Sequence, residues 1–578
     1  VSVKLSKIIC IINNNNLAKH IENQKDFIVL NDAYEFKNTY PVIVLFREGM
    51  NSVEWDIRIN RFRDKASILI TIQLSDSGLY IMPYYKNKVG CPSCFNLFQE
   101  KEKFFLETKL KDEKTLNKII KKILKFESKS TFQYFIHFSN NKEQTLNYIF
   151  PHFKCSHCRT LYQHQFEDLN NYNTYQKSIR TLSNNALTSI SSKIPLGKYG
   201  VFEDVELYYI NSVYICRIKL KFTENTYAVG RSFIKEHAIN LAILEALERL
   251  SLNGNFYEQD LKHDNQYEVV TPLKLLGIEY AGLKGFLDCD LVKGTSITEG
   301  KVVNIPKQLI LFENTENLSR RGKRKFHSTS SNGTAIGGSY QEAIFFSIVE
   351  YLERSNGLAS WEKNQPLRKW PFEFFKSHKK IMHLLEFFFT QKCDVQIIST
   401  NDSKYFSTVW IFLSWENGQL NSLGSGILPQ EAVESALIQL FTGFLNFKHT
   451  DSSQQIRMKE LSDAKKISNM EDHVLYYLHP SKRHYFNFIE EIELQTELQF
   501  INRSKEILSN YQLGLSYLLN GIIGEIKNWD GQVFAVDITP NVLKKMKIPL
   551  YTVKVYITNT FHFNFGQYRR KKDPHPFL

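Results

Sequence analysis

The chain has 578 residues, of which 43% are hydrophobic and 23% charged, and this ordinary composition excludes a mainly disordered protein. The net charge of +13 is mild for this length and is no nucleic-acid-binding signature by itself. The longest apolar runs, such as Ile8–Ile12 and Ala343–Val349, are far shorter than the ~20 residues of a membrane-spanning helix. Without a secretory signal pattern either, the sequence predicts a cytoplasmic protein of about two to four domains.

Residues 1–90 alternate short apolar runs with polar turns, which predicts an α/β region of short strands. Two CxxC pairs follow, Cys91–Cys94 and Cys155–Cys158. Two such pairs can place four thiolates tetrahedrally around one Zn²⁺. The alternatives are four unrelated thiols or a redox pair, and the presence of two pairs favours zinc. Because four thiolates close the coordination sphere, we expect a structural zinc site and not a catalytic one.

The segment between the two CxxC pairs is predicted to be an insertion, with a helix in Lys109–Lys129. The polar stretch Asn170–Lys177 lacks apolar periodicity and is the best linker candidate. The predicted domains are therefore 1–177, with the zinc site, and 178–578. The second domain begins with strand-like Val205–Phe222 and a helix over His237–Ser251.

A helix from Tyr340 carries carboxylates where a buried helix would carry apolar residues. At 100° per residue, Glu350 lies about 80° and Glu353 about 20° from Glu342, so the three share one stripe. Apolar residues cover the other faces, which predicts burial. Buried carboxylates need a cation, and Arg354 could pair with one whereas Mg²⁺ could bind several. Ser339 and Glu342 also match a capping box, a purely structural alternative for Glu342.

Two features beside this helix suit an anion. A loop with three glycines runs into the helix N-terminus and offers free N–H groups, although a plain turn is the alternative. The basic segment Arg320–Lys325 could help to hold an anion, or could be a solvated loop. In the earlier helix, Glu245 and Glu248 share a face. The pair is either functional or part of an ordinary solvated surface. Together these features favour a phosphate–Mg²⁺ site.

Several motifs in the same order resemble the YcaO family. They are Leu244–Arg249, then Ser331–Gly333, Glu342 with Ala343, Glu350 with Glu353 and Arg354, the segment Val536–Pro540 with Pro549–Ile557, and the tail Asp573–Leu578. The resemblance covers roughly residues 178–578. It implies an α/β (α+β) fold, with a YcaO-type ATP-binding domain behind a smaller α/β region that carries the four-cysteine zinc site.

The resemblance also implies roles for individual residues. The residues implied to bind ATP and Mg²⁺ are Glu245, Glu248, Glu342, Glu350, Glu353, Arg354, Arg231, Ser331, Asn332 and Arg180. The tail implies a catalytic role for Pro574, Pro576 and Leu578, with a disordered terminus as the alternative.

The implied activity is that of an ATP-dependent cyclodehydratase that forms thiazolines or oxazolines from Cys, Ser or Thr of a ribosomal precursor peptide, as in bacteriocin and antibiotic (RiPP) biosynthesis. The implied cofactors are ATP, Mg²⁺ and structural Zn²⁺. The implied partners are the peptide, a ThiF-like leader-binding protein and a later dehydrogenase, without nucleic acid or membrane; a homodimer stays open. Two alternatives remain: a YcaO enzyme that forms thioamides or macroamidines, and a non-catalytic scaffold.

The sequence departs from the family pattern at four internal positions and in the tail. Arg231 stands where Lys is usual, Gly338 where Asn is common, and Gln439 and Thr442 where a Glu and a Gln are usual. The tail also lacks the final Pro. These departures bear on the efficiency of ATP use more than on the fold.

Overall fold

The computed structural model shows a smaller N-terminal region followed by a larger α+β domain. It describes residues 8–11, 27–30, 40–47, 52–75, 78–85, 88, 90–99, 133–139, 144–152, 155, 157–158, 161, 176–222, 226–254, 266–276, 289–327, 329–362, 367–461, 463–562 and 574–577. The helix expected in Lys109–Lys129 and most of the expected linker lie outside these residues. Within them, no helix is long and apolar enough to cross a membrane.

A seven-stranded sheet forms the N-terminal region, in the order β2-β1-β3-β4-β5-β6-β7. Strands β1 to β4 are parallel, and β5 to β7 continue the sheet antiparallel. The strands are β1 (Ile8–Ile11), β2 (Phe27–Leu30), β3 (Tyr40–Phe46), β4 (Ala66–Ser75), β5 (Gly78–Tyr85), β6 (Gln133–Ser139) and β7 (Gln144–Ile149). Helix α1 (Ser52–Arg63) packs Trp55 and Ile59 on Ile43 and Leu45, because a parallel strand is apolar on both faces.

Three smaller sheets form the larger domain. They have the orders β10-β9-β8, β12-β11-β18-β19-β13 and β14-β15-β16-β17. Their strands are β8 (Phe202–Ile210), β9 (Val213–Leu220), β10 (Tyr227–Ser232), β11 (Leu291–Ser296), β12 (Lys301–Pro306), β13 (Thr334–Gly337), β14 (Arg368–Lys369), β15 (Asp394–Ser399), β16 (Ser407–Trp415), β17 (Gly418–Gly426), β18 (Val533–Asp537) and β19 (Tyr551–Ile557).

The segment predicted as strand-like, Val205–Phe222, is a hairpin of β8 and β9 and not one strand. Asn211 and Ser212 form its turn with φ values of 46° and 64°. Asn tolerates this left-handed region better than most residues, and two such residues are typical of a tight hairpin turn.

Helices complete the layers of the larger domain. They are α3 (Asn184–Ser191), α4 (Lys235–Ser251), α5 (Pro272–Leu276), α6 (Lys307–Ile310), α7 (Thr315–Arg320), α8 (Tyr340–Trp361), α9 (Lys379–Thr390), α10 (Pro429–Phe447), α11 (Ser452–Glu460), α12 (Met470–Leu478), α13 (Glu497–Gln512), α14 (Leu515–Asn528) and α15 (Asn541–Lys545), while α2 (Pro92–Phe98) belongs to the N-terminal region. Two of them, α4 and α8, are the predicted acidic helices.

Helix α8 lies between two sheets. It packs against β13 and β19 on one side and against β16 and β17 on the other. The Ser339 hydroxyl accepts a hydrogen bond from the Glu342 N–H and caps its first turn. Apolar residues such as Ile344, Phe345 and Ile348 are fully buried, which confirms the prediction of a buried helix.

Candidate functional site

The first acidic helix, α4, holds Glu245 by protein contacts. One carboxylate oxygen accepts a hydrogen bond from Val229 N at 3.0 Å, and the other accepts one from Arg249 Nη2 at 3.2 Å. Arg231 of β10 is also attracted to this carboxylate. Glu245 is therefore a half-buried, paired carboxylate with a fixed orientation.

At the start of α8, Glu342 accepts three hydrogen bonds. They come from Arg180 Nη1 at 3.0 Å, Thr181 N at 2.9 Å and Gly338 N at 3.1 Å. The Arg180 guanidinium also stacks on the Phe346 ring, 3.7 Å from its centroid. Glu342 thus ties the segment that opens the larger domain to the glycine-rich loop, in addition to its place in the capped first turn.

Three turns further along α8, Glu353 is also paired. Its carboxylate accepts a hydrogen bond from Ser425 Oγ at 2.5 Å and lies 3.5 Å from Arg354 Nε. Glu245, Glu342 and Glu353 therefore each have a cationic partner within the protein.

Glu248 and Glu350 differ from these three carboxylates. Among the described residues, neither has an ion-pair or hydrogen-bond partner for its carboxylate. Burial raises the pKa of Glu350 to about 7; Arg354 opposes this effect and Glu353 adds to it. Burial also raises the pKa of Glu248 well above its usual range, with Arg249 opposing and Glu350 adding. The two carboxyl groups thus form a partly buried, mutually repelling pair whose negative charge a cation would offset.

The sequence analysis missed a buried cation that attracts both members of this pair, Lys554 of β19. Its side chain is 1% exposed and its Nζ donates to the carbonyl oxygens of Ser330 at 2.6 Å and Asn332 at 2.5 Å. Burial lowers the pKa of Lys554 to about 7, against the attraction of Glu350 and Glu248. The signal was available, because Lys554 is the single charged residue in a strand that is mostly apolar.

Arg249 is a second missed residue, since it interacts with Glu245, Glu248 and Glu350 together. The glycine-rich loop contributes a further polar atom. Asn332 Oδ1 is buried without a hydrogen-bond partner among the described residues. An uncompensated buried oxygen is costly unless a ligand satisfies it. Carboxylates and an amide oxygen are hard oxygen donors, so the chemistry of this donor set fits Mg²⁺.

The basic segment Arg320–Lys325 is not free to bind an anion at Arg321. That side chain is buried and pairs with Asp290 and Glu313, and Lys307 lies 2.7 Å from Glu313. Arg320 instead forms an exposed pair with Glu316. This buried charge network was not predicted, because its members are separated by up to 31 residues in the sequence.

Two cavities lie on either side of Arg180. One, of about 250 Å³, is lined mainly by apolar residues of α3, α4 and β13, including Leu187, Leu241 and Ile336. The other, of about 500 Å³, lies along the Phe346 and Val349 face of α8. Glu342 of the acidic stripe lines the first cavity, and Ser425, which donates a hydrogen bond to Glu353, lines the second.

The four predicted zinc ligands do come together. Their sulfur atoms lie within 4.8 Å of one another, and all four residues are buried. Cys91 Sγ is 3.6 Å from Cys94 Sγ and 3.5 Å from Cys155 Sγ. A tetrahedral zinc site with four sulfur ligands and Zn–S of ~2.3 Å has sulfurs about 3.8 Å apart. The cluster therefore fits Zn²⁺.

The cluster lies against the junction of the two regions. Gln99, just after α2, donates to the Tyr199 hydroxyl at 2.7 Å and accepts from Lys198 Nζ at 2.9 Å. Tyr199 O also accepts a hydrogen bond from Phe150 N at 3.0 Å. The residues around the cysteine cluster thus hold the loop that leads into β8.

The described tail residues, 574–577, are buried and not disordered. Tyr477 donates to Pro574 O, and His473 Nδ1 donates to His575 O at 2.8 Å. Phe577 packs edge-on against Trp410 with ring centroids 5.4 Å apart. Leu578 lies outside the described residues. The disordered-terminus alternative is therefore wrong for 574–577, and a catalytic role of Pro574, Pro576 and Leu578 stays a prediction.

Comparison with known proteins identifies the family. The family described as YcaO cyclodehydratase, ATP- and Mg²⁺-binding, matches residues 229–560, which is more than half of the chain. The chain therefore belongs to the YcaO family. No curated protein shows significant sequence similarity to it.

Solved structures agree on the fold. A structure titled as a heterocyclase in complex with substrate and cofactor matches with a TM-score of 0.66 and 13% identity, over 98% of this chain and 83% of that chain. The heterocyclase TruD matches with a TM-score of 0.56 and 13% identity, over 98% and 81% of the two chains. At these identities the comparison supports a shared fold that includes the N-terminal region.

Proposed function

We propose that this protein is an ATP-dependent peptide cyclodehydratase that converts Cys, Ser or Thr residues of a ribosomal precursor peptide to thiazolines or oxazolines. The Glu248–Glu350 pair is the observation that carries the proposal. Ionising two partly buried carboxyl groups that repel each other costs free energy, and a divalent cation between them would offset that cost. Membership of a family described as ATP- and Mg²⁺-binding supports the same conclusion.

In this proposal, Glu248 and Glu350 hold Mg²⁺, and Glu245, Glu342 and Glu353 complete the acidic site in orientations fixed by their partners. When bound, Mg²⁺ supplies charge that neutralises the phosphates of ATP. Arg180, Arg231 and Arg354 supply further positive charge around the acidic stripe. Lys554 fixes the loop of Ser330 and Asn332 beside the pair, so that the loop N–H groups can face an anion.

The reaction needs ATP because an amide oxygen is a poor leaving group. The Cys thiol, or the Ser or Thr hydroxyl, attacks the preceding backbone carbonyl carbon and gives up its proton. The former carbonyl oxygen takes the γ-phosphoryl group of ATP, and it leaves as phosphate when the amide nitrogen loses its proton and forms the C=N bond. The products are the azoline, ADP and phosphate. The tail, with Pro574, Pro576 and Leu578, is proposed to serve the proton transfers.

The apolar cavity of about 250 Å³ beside Glu342 is the proposed site of the adenine base, since its volume and lining suit a flat aromatic ring. We also propose a domain division at 177/178, a structural Zn²⁺ on the four cysteines, and a ThiF-like protein that delivers the peptide. A dehydrogenase that oxidises the rings is a further proposed partner.

An intact-mass assay tests the proposal. Protein, Mg-ATP, a neighbouring ThiF-like protein and a Cys/Ser/Thr-rich peptide encoded nearby are incubated together, with Glu350→Gln as the control. We expect the loss of one water per ring, dependent on ATP and absent in the variant. Brisk ATP turnover with an unchanged peptide would favour thioamide or amidine formation. No mass change and no turnover would favour a scaffold.

A further inference from the structure

The larger cavity, of about 500 Å³, is the part of the molecule that the nucleotide and metal roles leave unexplained. It lies on the face of α8 between Glu342 and Glu353, with Phe346 and Val349 in its wall. Ser425, which donates its hydroxyl hydrogen bond to Glu353, stands at its edge. A molecule in this cavity would therefore lie directly beside the acidic stripe.

The charged groups of this cavity already have partners. The Glu431 carboxylate accepts from Ile427 N at 3.0 Å and Leu428 N at 3.1 Å, as part of the N-terminal turn of α10. The Arg180 guanidinium is bound to Glu342. Arg180 is the one cationic residue among the described residues that line this cavity, and a polyphosphate needs several cationic or N–H donors, so the cavity suits a nucleotide poorly.

What remains in the lining is neutral. Hydroxyl groups come from Ser178, Ser425 and Tyr511, and apolar surface comes from Ile179, Phe346 and Ile427. Such a lining suits an uncharged, extended peptide that carries small polar side chains and backbone amides. Ser425 and Gly426 also end β17, an edge strand of its sheet, and the end of an edge strand can offer backbone groups to an extended chain.

From these observations we infer that the cavity is the binding pocket for the ring-forming segment of the peptide substrate. This inference rests on the proposed function and adds the location of the substrate. Peptide and nucleotide would then approach the acidic stripe from opposite sides of the Arg180–Phe346 stack, the peptide from the larger cavity and the nucleotide base from the smaller one.

Photo-cross-linking tests the location without turnover. p-Benzoylphenylalanine is placed at Ile179, in the larger cavity, or at Leu241, which lines the smaller cavity and is 48% exposed. The probe is a biotinylated synthetic peptide of alternating Gly, Ser and Cys residues. We expect cross-linking at position 179, retained with excess Mg-ATP, and none at position 241.

Three results would overturn the inference: a cross-link at 241 in place of 179, a cross-link at 179 that Mg-ATP removes, or none at either position. Cross-linking of the position-179 variant, together with an unchanged peptide mass in the assay of the wild-type protein, would overturn the proposed function while the pocket stands. The two ideas therefore fail separately.

Kinetics of two matched tryptophan variants give a second readout. Ile179→Trp narrows the larger cavity and Leu241→Trp the smaller one. We expect Ile179→Trp to raise the KM for the peptide about tenfold more than the KM for ATP, and Leu241→Trp to do the reverse. Thermal melts identify any variant that fails to fold. Equal effects on the two KM values in both folded variants would contradict the assignment.

Discussion

Arg231 donates its Nε–H to Thr442 Oγ1 at 2.8 Å, and this hydrogen bond joins β10 to α10 across 211 positions of sequence. At both positions the chain departs from the YcaO pattern. The structure shows that the two departures are in contact, which the sequence could not reveal. Burial lowers the pKa of Arg231 and the nearby Glu245 opposes this, so the guanidinium lies at the edge of the acidic site.

We expect the two residues to act as a pair. Arg231→Lys and Thr442→Val should each weaken the interaction by about 1 kcal/mol, which is roughly a fivefold fall in kcat/KM for ATP. The double variant should be no worse than either single one, because both remove the same bond. Steady-state ATP turnover measures this. Additive losses would show that the two residues act independently.

Substitutions of Glu350 and Glu342 should change the stability of the protein in opposite directions. Glu350→Gln removes repulsion with Glu248 and should raise the Tm of the metal-free protein while lowering Mg²⁺-dependent ATP turnover at least about a hundredfold. Glu342→Gln weakens three hydrogen bonds and should lower the Tm. Glu434→Gln, on the exposed pair with Lys380, is the control and should change neither quantity. A lower Tm for Glu350→Gln would argue against a repulsive pair.

The affinity for Mg²⁺ should depend on pH. The pKa of Glu350 is about 7 in the folded protein, above the ~4.3 of a free Glu, so its proton is lost only as the pH rises through 7. Below this value Mg²⁺ competes with the proton. Burying the ionised group costs free energy. Ionisation of Glu350 therefore lowers the free energy of unfolding of the metal-free protein progressively as the pH rises from about 4 to 7.

Calorimetric titration with Mg²⁺ at pH 6 and pH 8 checks this. Binding should be tighter at pH 8, and the difference should shrink in Glu350→Gln. Glu248, Glu353, Arg249, Arg354 and Lys554 interact with Glu350 and will broaden the transition. Equal affinity at the two pH values in the wild type would rule out proton competition at this carboxyl group.

Zinc should stabilise the junction of the two regions. We expect one zinc per chain by elemental analysis, and its loss in Cys94→Ser together with a lower Tm, because the cluster lies beside the loop of Lys198 and Tyr199. Cys393→Ser, at an isolated buried cysteine, should keep its zinc. Full zinc content in Cys94→Ser would contradict the proposed ligand set.

Two variants distinguish a structural role of the tail from a catalytic one. Phe577 is fully buried, so Phe577→Ala should destabilise the protein by about 3–5 kcal/mol, seen in denaturant unfolding. Deleting Leu578 alone removes one residue of the proposed catalytic tail and should lower kcat for ring formation with little change in stability. Unchanged kcat after that deletion would leave the tail with an anchoring role only.

Sequence periodicity predicted α4 and α8 well, because a helix fixes which residues share a face. The stripe of Glu342, Glu350 and Glu353 and the two CxxC pairs could be read directly from spacing. Family resemblance supplied their implied roles. The strand-like character of Val205–Phe222 was predicted as well, whereas its division into two strands at Asn211 and Ser212 was not.

The distinction among the five carboxylates came only from the tertiary structure. Three of them are paired through contacts with Arg180, Arg249 and Ser425. Arg180 and Ser425 lie on other elements, and Arg249 was not recognised as a partner. Lys554 lies in the last strand, β19, and contributes to the site from there. Arg321, which was predicted to help hold an anion, instead pairs with Asp290 and Glu313 in a buried network. Spacing within one helix determines a shared face, but the charge that a carboxylate meets is decided by residues that only folding brings within a few ångströms.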